Sequence, residues 1–224
     1  LLTEREAFLQ IKFPEAVKEW YSLEGATRIL TKYSNEDHPV SLDELGLEDS
    51  NLFGEDEDEN LLDHGLMAIM TENQGVANWA VRLNCGENPE VLVEIDTWPE
   101  PEWQRATETF SDFIYAWLFD FSFRVNQPSI LYGSNGTIDT TFESVNYFND
   151  RFVKAPLSYG WPADVNYRFY RDDVKIVINY GGKNGSDWYI GVKTQFQYEQ
   201  LLNEVKPNKE LWSILKDLTL YDKN

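Results

Sequence analysis

Hydrophobic and polar positions alternate in blocks along the chain. Phe13, Val17, Trp20 and Tyr21 recur at helical spacing in "FPEAVKEWYSLEGA", which predicts an amphipathic helix packing by that stripe. Pro14 suits its first turn, Glu15 the positive end of its dipole, and Gly25 a left-handed close. "TRILT" (Thr27–Thr31) predicts a short strand and "SLDELGL" (Ser41–Leu47) a short helix. Apolar runs at Leu66–Thr71, Asn78–Leu83 and Val91–Ile95 predict a three-strand antiparallel meander. Phe110, Phe113, Ile114, Trp117, Leu118 and Phe121 follow the i, i+3, i+4 rule, and Thr109 with Asp112 marks the start of that helix. Its apolar face is wide enough to cover the meander.

Beyond residue 123 the pattern restarts. "QPSILYGSNGT" has the composition of a linker, and "ESVNYFNDRF" predicts a helix. Tyr167–Tyr170, Val174–Tyr180 and Trp188–Lys193 predict three antiparallel strands joined at Asp172-Asp173 and at "GGKNGSD". "FQYEQLLNEV" and "NKELWSILKDL" predict two closing helices on either side of Pro207. The fold class expected is α+β: an antiparallel meander packed against helices over residues 1–123, and a strand-then-helix region over 124–224. That second region either forms a separate small domain or extends the first.

Charge changes this picture more than composition does. Residues 1–123 carry 7 Lys/Arg against 27 Asp/Glu, a balance of −20, whereas residues 124–224 carry 12 against 12. A field of that sign repels nucleic acid and anionic membrane and speeds encounter with a basic partner, though it also serves solubility. No apolar run approaches the roughly 18 residues of a membrane span. The opening residues do not read as a signal peptide, so none is expected, and the start at Leu1 without a Met suggests a trimmed N-terminus. Cys85 is the one cysteine, so an intrachain disulfide is excluded, and a reducing, cytoplasmic setting is expected.

Motifs for chemistry fail on spacing. "DEDEN" (Asp56–Asn60) opens like a calcium loop, but the required Gly and Glu positions hold Leu61 and Met67. The charge run reads better as a solvated face than as a loose cation site of Asp56, Asp58 and Asp63. "GGKNGSD" lacks phosphate-loop spacing and precedes a strand. His38 and His64 are not at ligand spacing, and Cys85 has no histidine near it in sequence. No catalytic residue, metal or cofactor is expected.

"ENQG" (Glu72–Gly75) joins the first two meander strands. Gly75 suits a turn that bulkier residues resist, Asn73 and Gln74 offer to satisfy backbone groups, and Trp79 is expected to pack under the helix. The alternative reading makes Glu72, Asn73 and Gln74 polar rim contacts for a partner.

Taken in order, the Pro-led helix ending near Gly25, "LMAIMTENQGVANWAVRL", the acidic third strand and the aromatic helix "TFSDFIYAWLFDF" resemble the SUKH superfamily. That is the family of fungal cell-wall-synthesis regulators and of many bacterial immunity proteins. The resemblance covers about residues 10–123. It implies a non-catalytic α+β domain that binds protein partners: in bacteria a cognate toxin, often a nuclease, and in fungi several signalling proteins. The expectation is therefore a cytoplasmic immunity protein that neutralises a basic toxin. The contacts expected from charge density are Glu55, Asp56, Glu57, Asp58, Glu59 and Asp63, joined by Glu72, Asn73 and Gln74. A multi-partner scaffold is the alternative, and a carboxylate-based metal-dependent hydrolase the third reading.

Overall fold

Strands β1 (Asp37–Pro39), β2 (Leu66–Glu72), β3 (Ala77–Arg82), β4 (Val91–Ile95) and β5 (Glu102–Thr107) form a five-stranded antiparallel sheet in the order β1-β2-β3-β4-β5. The computed structural model describes residues 1–27, 37–47, 61–95, 102–125, 130–134, 138–181 and 186–221. The chain divides into two compact units, Leu1–Ile114 and Tyr115–Asn224, the division falling inside the helix Phe110–Val125. Both units mix helices with an antiparallel sheet, the α+β class that the hydrophobic pattern predicts.

In the first unit the expected meander is present as β2–β4, extended by β1 and β5 at its edges. Register places Met67, Met70, Trp79, Val81, Val91 and Val93 on one face of the sheet, all buried. Trp79 meets Phe113 there at a ring separation of 6.2 Å, so the helix Phe110–Val125 starts against the face that needs covering. Thr109 caps it: the Asp112 N–H donates to Thr109 Oγ1 at 3.0 Å, and that hydroxyl donates to the Asp112 carboxylate at 2.8 Å. The Pro14-led helix runs over Glu15–Ser22 and buries Val17 and Trp20. It stops short of Gly25 because Leu23 is already extended. The segment Ser41–Leu47 forms successive turns instead of a helix: the Ser41 side chain donates to the Glu44 and Asp43 carboxylates, and Gly46 has a positive φ of 71°. An unforeseen helix occupies Leu2–Leu9 and buries no residue. The strand expected at Thr27–Thr31 lies, apart from Thr27, outside the described residues.

The second unit is built on a seven-stranded sheet, β12-β6-β11-β10-β9-β7, with β8 also pairing β9. Its strands are β6 (Ile130–Gly133), β7 (Val153–Lys154), β8 (Ser158–Tyr159), β9 (Val165–Arg171), β10 (Val174–Tyr180), β11 (Asp187–Val192) and β12 (Thr219–Tyr221). The segment with linker composition is thus partly structural. Ile130–Gly133 lies between β12 and β11, its pairs being Tyr189, Ile190, Gly191 and Val192 on one side and Thr219–Tyr221 on the other.

One face of this sheet carries Phe169, Ile176, Ile178, Trp188 and Ile190. Three helices supply Val145 and Phe148 (from Phe142–Asn149), Leu201 and Val205 (from Gln195–Val205), and Leu211 and Leu215 (from Lys209–Asp217) to the same core. On the other face Phe119 packs with Val177 and Ala155, Asp120 pairs with Arg168, and Lys175 donates to Ser122 Oγ at 2.5 Å. Loss of water around Lys175 holds its ammonium below the usual lysine range.

Glu210 clasps two of the covering helices. Its carboxylate accepts from Thr141 Oγ1 (2.7 Å), the Thr141 N–H (3.3 Å) and Ser144 Oγ (2.5 Å) at the start of Phe142–Asn149. Those bonds from Ser144 and Thr141 hold its carboxyl below the ordinary glutamate range. A depressed carboxyl contributes stability above its unfolded value and loses it as pH falls through the folded one. Glu210→Gln is therefore expected to cost about 1 kcal/mol at pH 7. The gap from wild type should shrink below pH 4.5, as denaturant melts at stepped pH will record.

Candidate protein-binding surface

Carboxylates gather at one end of the five-stranded sheet, and the register explains why. The start of β2, the end of β3, the start of β4 and the end of β5 all lie there, since Leu66 pairs Arg82 and Val91 pairs both Val81 and Thr107. The turns and helix starts that follow bring Asp63, Glu87, Glu90, Glu108 and Asp112 to this pole.

The β3–β4 turn, "NCGENPE", reads as a plain hairpin by composition but does more. Glu87 takes the helix Glu15–Ser22 by its N-terminus: its backbone carbonyl accepts from the Ala16 N–H at 2.9 Å and its carboxylate from the Glu15 N–H at 3.2 Å. Asn88 Oδ1 accepts from the Ser111 N–H at 3.0 Å, capping the first turn of Phe110–Val125. Four N–H groups at each helix start lack internal partners, and one turn here supplies both ends with oxygen. Glu15 joins the pole by this latch, and the Glu6 carboxylate accepts from the nearby Phe13 N–H at 2.9 Å.

Among the described residues three ion pairs temper the pole. Lys18 bridges Glu15 at 2.7 Å, Arg82 bridges Glu90 at 2.7 Å, and Arg105 bridges Glu108 at 3.0 Å. The hydrogen bond to Glu15, reinforced by the charges of Glu15, Glu6 and Glu87, raises the Lys18 ammonium above its usual range. Such exposed pairs contribute little to stability. Their consequence is electrostatic: each engages one carboxylate of the pole, and among the described residues Asp63, Glu87 and Asp112 are in no ion pair.

The sequence-derived contact set is divided by this geometry. Glu55, Asp56, Glu57, Asp58 and Glu59 lie outside the described residues. Asp63 is exposed at the acidic pole. Glu72, Asn73 and Gln74 occupy the β2–β3 turn at the opposite end of β2, about 20 Å away at the rise of an extended strand. In that turn the Glu72 carboxylate accepts from the Gln74 N–H at 2.7 Å and its carbonyl from the Gly75 N–H at 2.9 Å. Gly75 has a positive φ of 73°, so "ENQG" builds a tight turn. Asn73 and Gln74 remain exposed on it.

Behind this turn lies a polar row that the sequence reading did not single out. Thr71, Asn78 and Glu94 stand opposite one another on β2, β3 and β4. Thr71 Oγ1 donates to Asn78 Oδ1 at 2.7 Å, and Asn78 Nδ2 donates to the Glu94 carboxylate at 3.2 Å. Its only sequence signal is a polar residue at the matching alternate position of each strand.

Among the described residues, no group of three or more His, Cys, Asp or Glu side chains is arranged to hold a metal ion. No helix among them is long and apolar enough to cross a membrane. No protein-family model, no curated protein and no solved structure matches the chain.

Proposed function

We propose that this chain is a non-catalytic binding protein of the SUKH type, a cytoplasmic immunity protein that sequesters a basic toxin. One observation carries the reading. The first unit holds 7 Lys/Arg against 26 Asp/Glu, while the second holds 12 against 13. A balance of −19 confined to one unit is a steering field for a positively charged partner. Part of that charge, Asp63, Glu87, Glu90, Glu108 and Asp112, lies at the sheet end where Glu87 and Asn88 latch two helices, so these carboxylates stand on a braced surface. A pre-set surface reduces the ordering cost of association. If the toxin is a nuclease, the acidic pole competes with nucleic-acid phosphates for its basic cleft.

The test is capture with the full chain from its source cells at low and at moderate salt, followed by mass spectrometry. One stoichiometric basic protein, loosened by salt and inhibited on binding, is expected. Several weak partners without salt dependence would contradict the immunity reading and favour a scaffold.

A further inference from the structure

A row of polar side chains crosses the second unit's sheet on the face that carries Arg168. Ser158 of β8, Asn166 of β9, Asn179 of β10 and Asp187 of β11 stand opposite one another in turn. Asn166 is 0% exposed, and its Oδ1 has no hydrogen-bond partner. Its Nδ2 donates to Trp161 O at 2.9 Å, Ser158 Oγ at 3.3 Å and Ser158 O at 3.4 Å. Turning the amide over would set its oxygen against two carbonyl oxygens, so these contacts fix its orientation. With the nitrogen directed at β8 and Trp161, the planar amide turns Oδ1 the other way, to the β10 side where Asn179 stands. A buried acceptor left without a donor or a cation is costly.

Two carboxylates flank Asn179. Asp187 stands beside it on β11 and uses Oδ1 to accept from Ser134 Oγ at 2.8 Å. Asp164, two residues before Asn166, lays its carboxylate over Gly181, two residues after Asn179. Its Oδ2 lies 2.5 Å from where a Cβ on Gly181 would stand. Among the described residues neither carboxylate is in an ion pair, and the Asn179 carboxamide has no side-chain hydrogen bond. Arg168, on the same face, is gripped by both oxygens of Asp120.

We propose that Asp164, Asn166, Asn179 and Asp187 form a site for a hard cation, calcium by the nature of its ligands. All four offer oxygen, two as carboxylates and two as carboxamides, and calcium takes such oxygens at about 2.3–2.6 Å. The row holds no histidine or cysteine, the ligands that softer metals select. The occupant must be small, because the Asn166 oxygen is closed to solvent, which excludes a partner's side chain. A water molecule would satisfy that oxygen alone, whereas a cation also answers the two unpaired carboxylates. Asp164 is exposed and Asn179 half-buried, so the row leads from solvent to the buried oxygen. The site stands on its own geometry and does not rest on the function proposed above.

The experiment is a titration of the full chain, labelled with nitrogen-15 and freed of metals by a chelator, with calcium chloride at constant ionic strength. The side-chain amide signals of Asn166 and Asn179 are followed by NMR. Saturating shifts of both signals are expected, with one shared dissociation constant on the order of 0.1–1 mM for so few charged ligands. Magnesium demands a regular octahedron and dehydrates reluctantly, so it should bind at least about tenfold more weakly. Asp164→Asn, at an exposed position, should weaken calcium by about tenfold. Asn179→Leu should abolish the Asn166 shift, with the signal of the buried Trp188 indole as the check on the fold. Two outcomes overturn the proposal. An Asn166 signal that calcium does not move would mean that water or Asn179 itself serves its oxygen. Shifts that never saturate and match those of the Asn88 amide at the acidic pole would mean diffuse screening of charge. Neither outcome touches the acidic-pole reading, which is measured through association with a partner.

Discussion

Trp188→Ala is expected to destabilise the second unit by about 4 kcal/mol, the largest single-residue effect anticipated for the chain. Trp188 is fully buried in the centre of β11 and meets Phe148 at 5.9 Å in an edge-to-face contact. Its indole Nε1–H donates to Thr140 Oγ1 at 2.8 Å, and its backbone N–H donates to Ser134 Oγ at 3.3 Å. Truncation would open a cavity in a core closed by a sheet and three helices, and would strand the buried Thr140 hydroxyl. Trp188→Phe retains most of the packing but still loses the indole bond, so about 1–2 kcal/mol is expected. Urea unfolding followed by far-ultraviolet circular dichroism separates the two. Equal losses for both variants would mean that the bond to Thr140 dominates over packing.

Asp120→Ala should cost about 3 kcal/mol, more than its position on a helix surface implies. Its partner Arg168 is only 4% exposed, and Asp120 grips it with both oxygens, at 2.8 Å to Nε and 2.6 Å to Nη2. The remaining guanidinium nitrogen donates to Pro156 O, Ser158 Oγ and Asn166 O. Those neutral acceptors satisfy hydrogen bonds but not charge, so removing Asp120 leaves a cation without a counter-ion inside the sheet–helix layer. The double variant Asp120→Ala with Arg168→Met should recover much of the loss, because it removes the buried charge together with its partner. A cycle of chemical denaturation measures this. If Asp120→Ala cost under about 0.5 kcal/mol, the pair would be an ordinary surface bridge.

How far the sequence foretold this molecule depends on whether the signal was local. Strands β2, β3, β4 and β10 are legible because unbroken apolar runs are what a sheet covered on both faces requires. The helices Phe110–Val125, Gln195–Val205 and Lys209–Asp217 are legible from period and caps. Strand β5 is not: "EWQRAT" lies at the sheet edge and exposes Gln104 and Arg105, so its alternation is diluted. Strand β6 hides in linker-like composition because Gly133 and Ser134 serve a pairing with residues more than fifty positions away. The helix Leu2–Leu9 buries nothing and therefore has no stripe to read.

Sites followed the same rule. Charge density marked the acidic half, but only the register reveals that Asp63 and the Glu72–Gln74 turn stand at opposite ends of β2. The latch by Glu87 and Asn88 spans 72 and 23 residues, beyond any local motif. The oxygen row of Asp164, Asn166, Asn179 and Asp187 depends on the register of three strands, which no local motif joins. Turn composition, by contrast, correctly marked Gly75 as the residue of positive φ.

The proposed steering of a basic partner by the acidic pole is tested by the association rate of the captured partner measured against ionic strength. Wild type should be compared with a chain in which Asp63, Glu87, Glu90 and Glu108 are changed to their amides. Glutamine at position 87 keeps an oxygen for the Glu15 N–H, so the latch is retained while charge is lost. The amide variant is expected to associate at least tenfold more slowly at low salt, with a shallower salt slope and little change in dissociation. An unchanged rate and slope with an intact fold would contradict it, and would place the partner's contacts away from this end of the sheet.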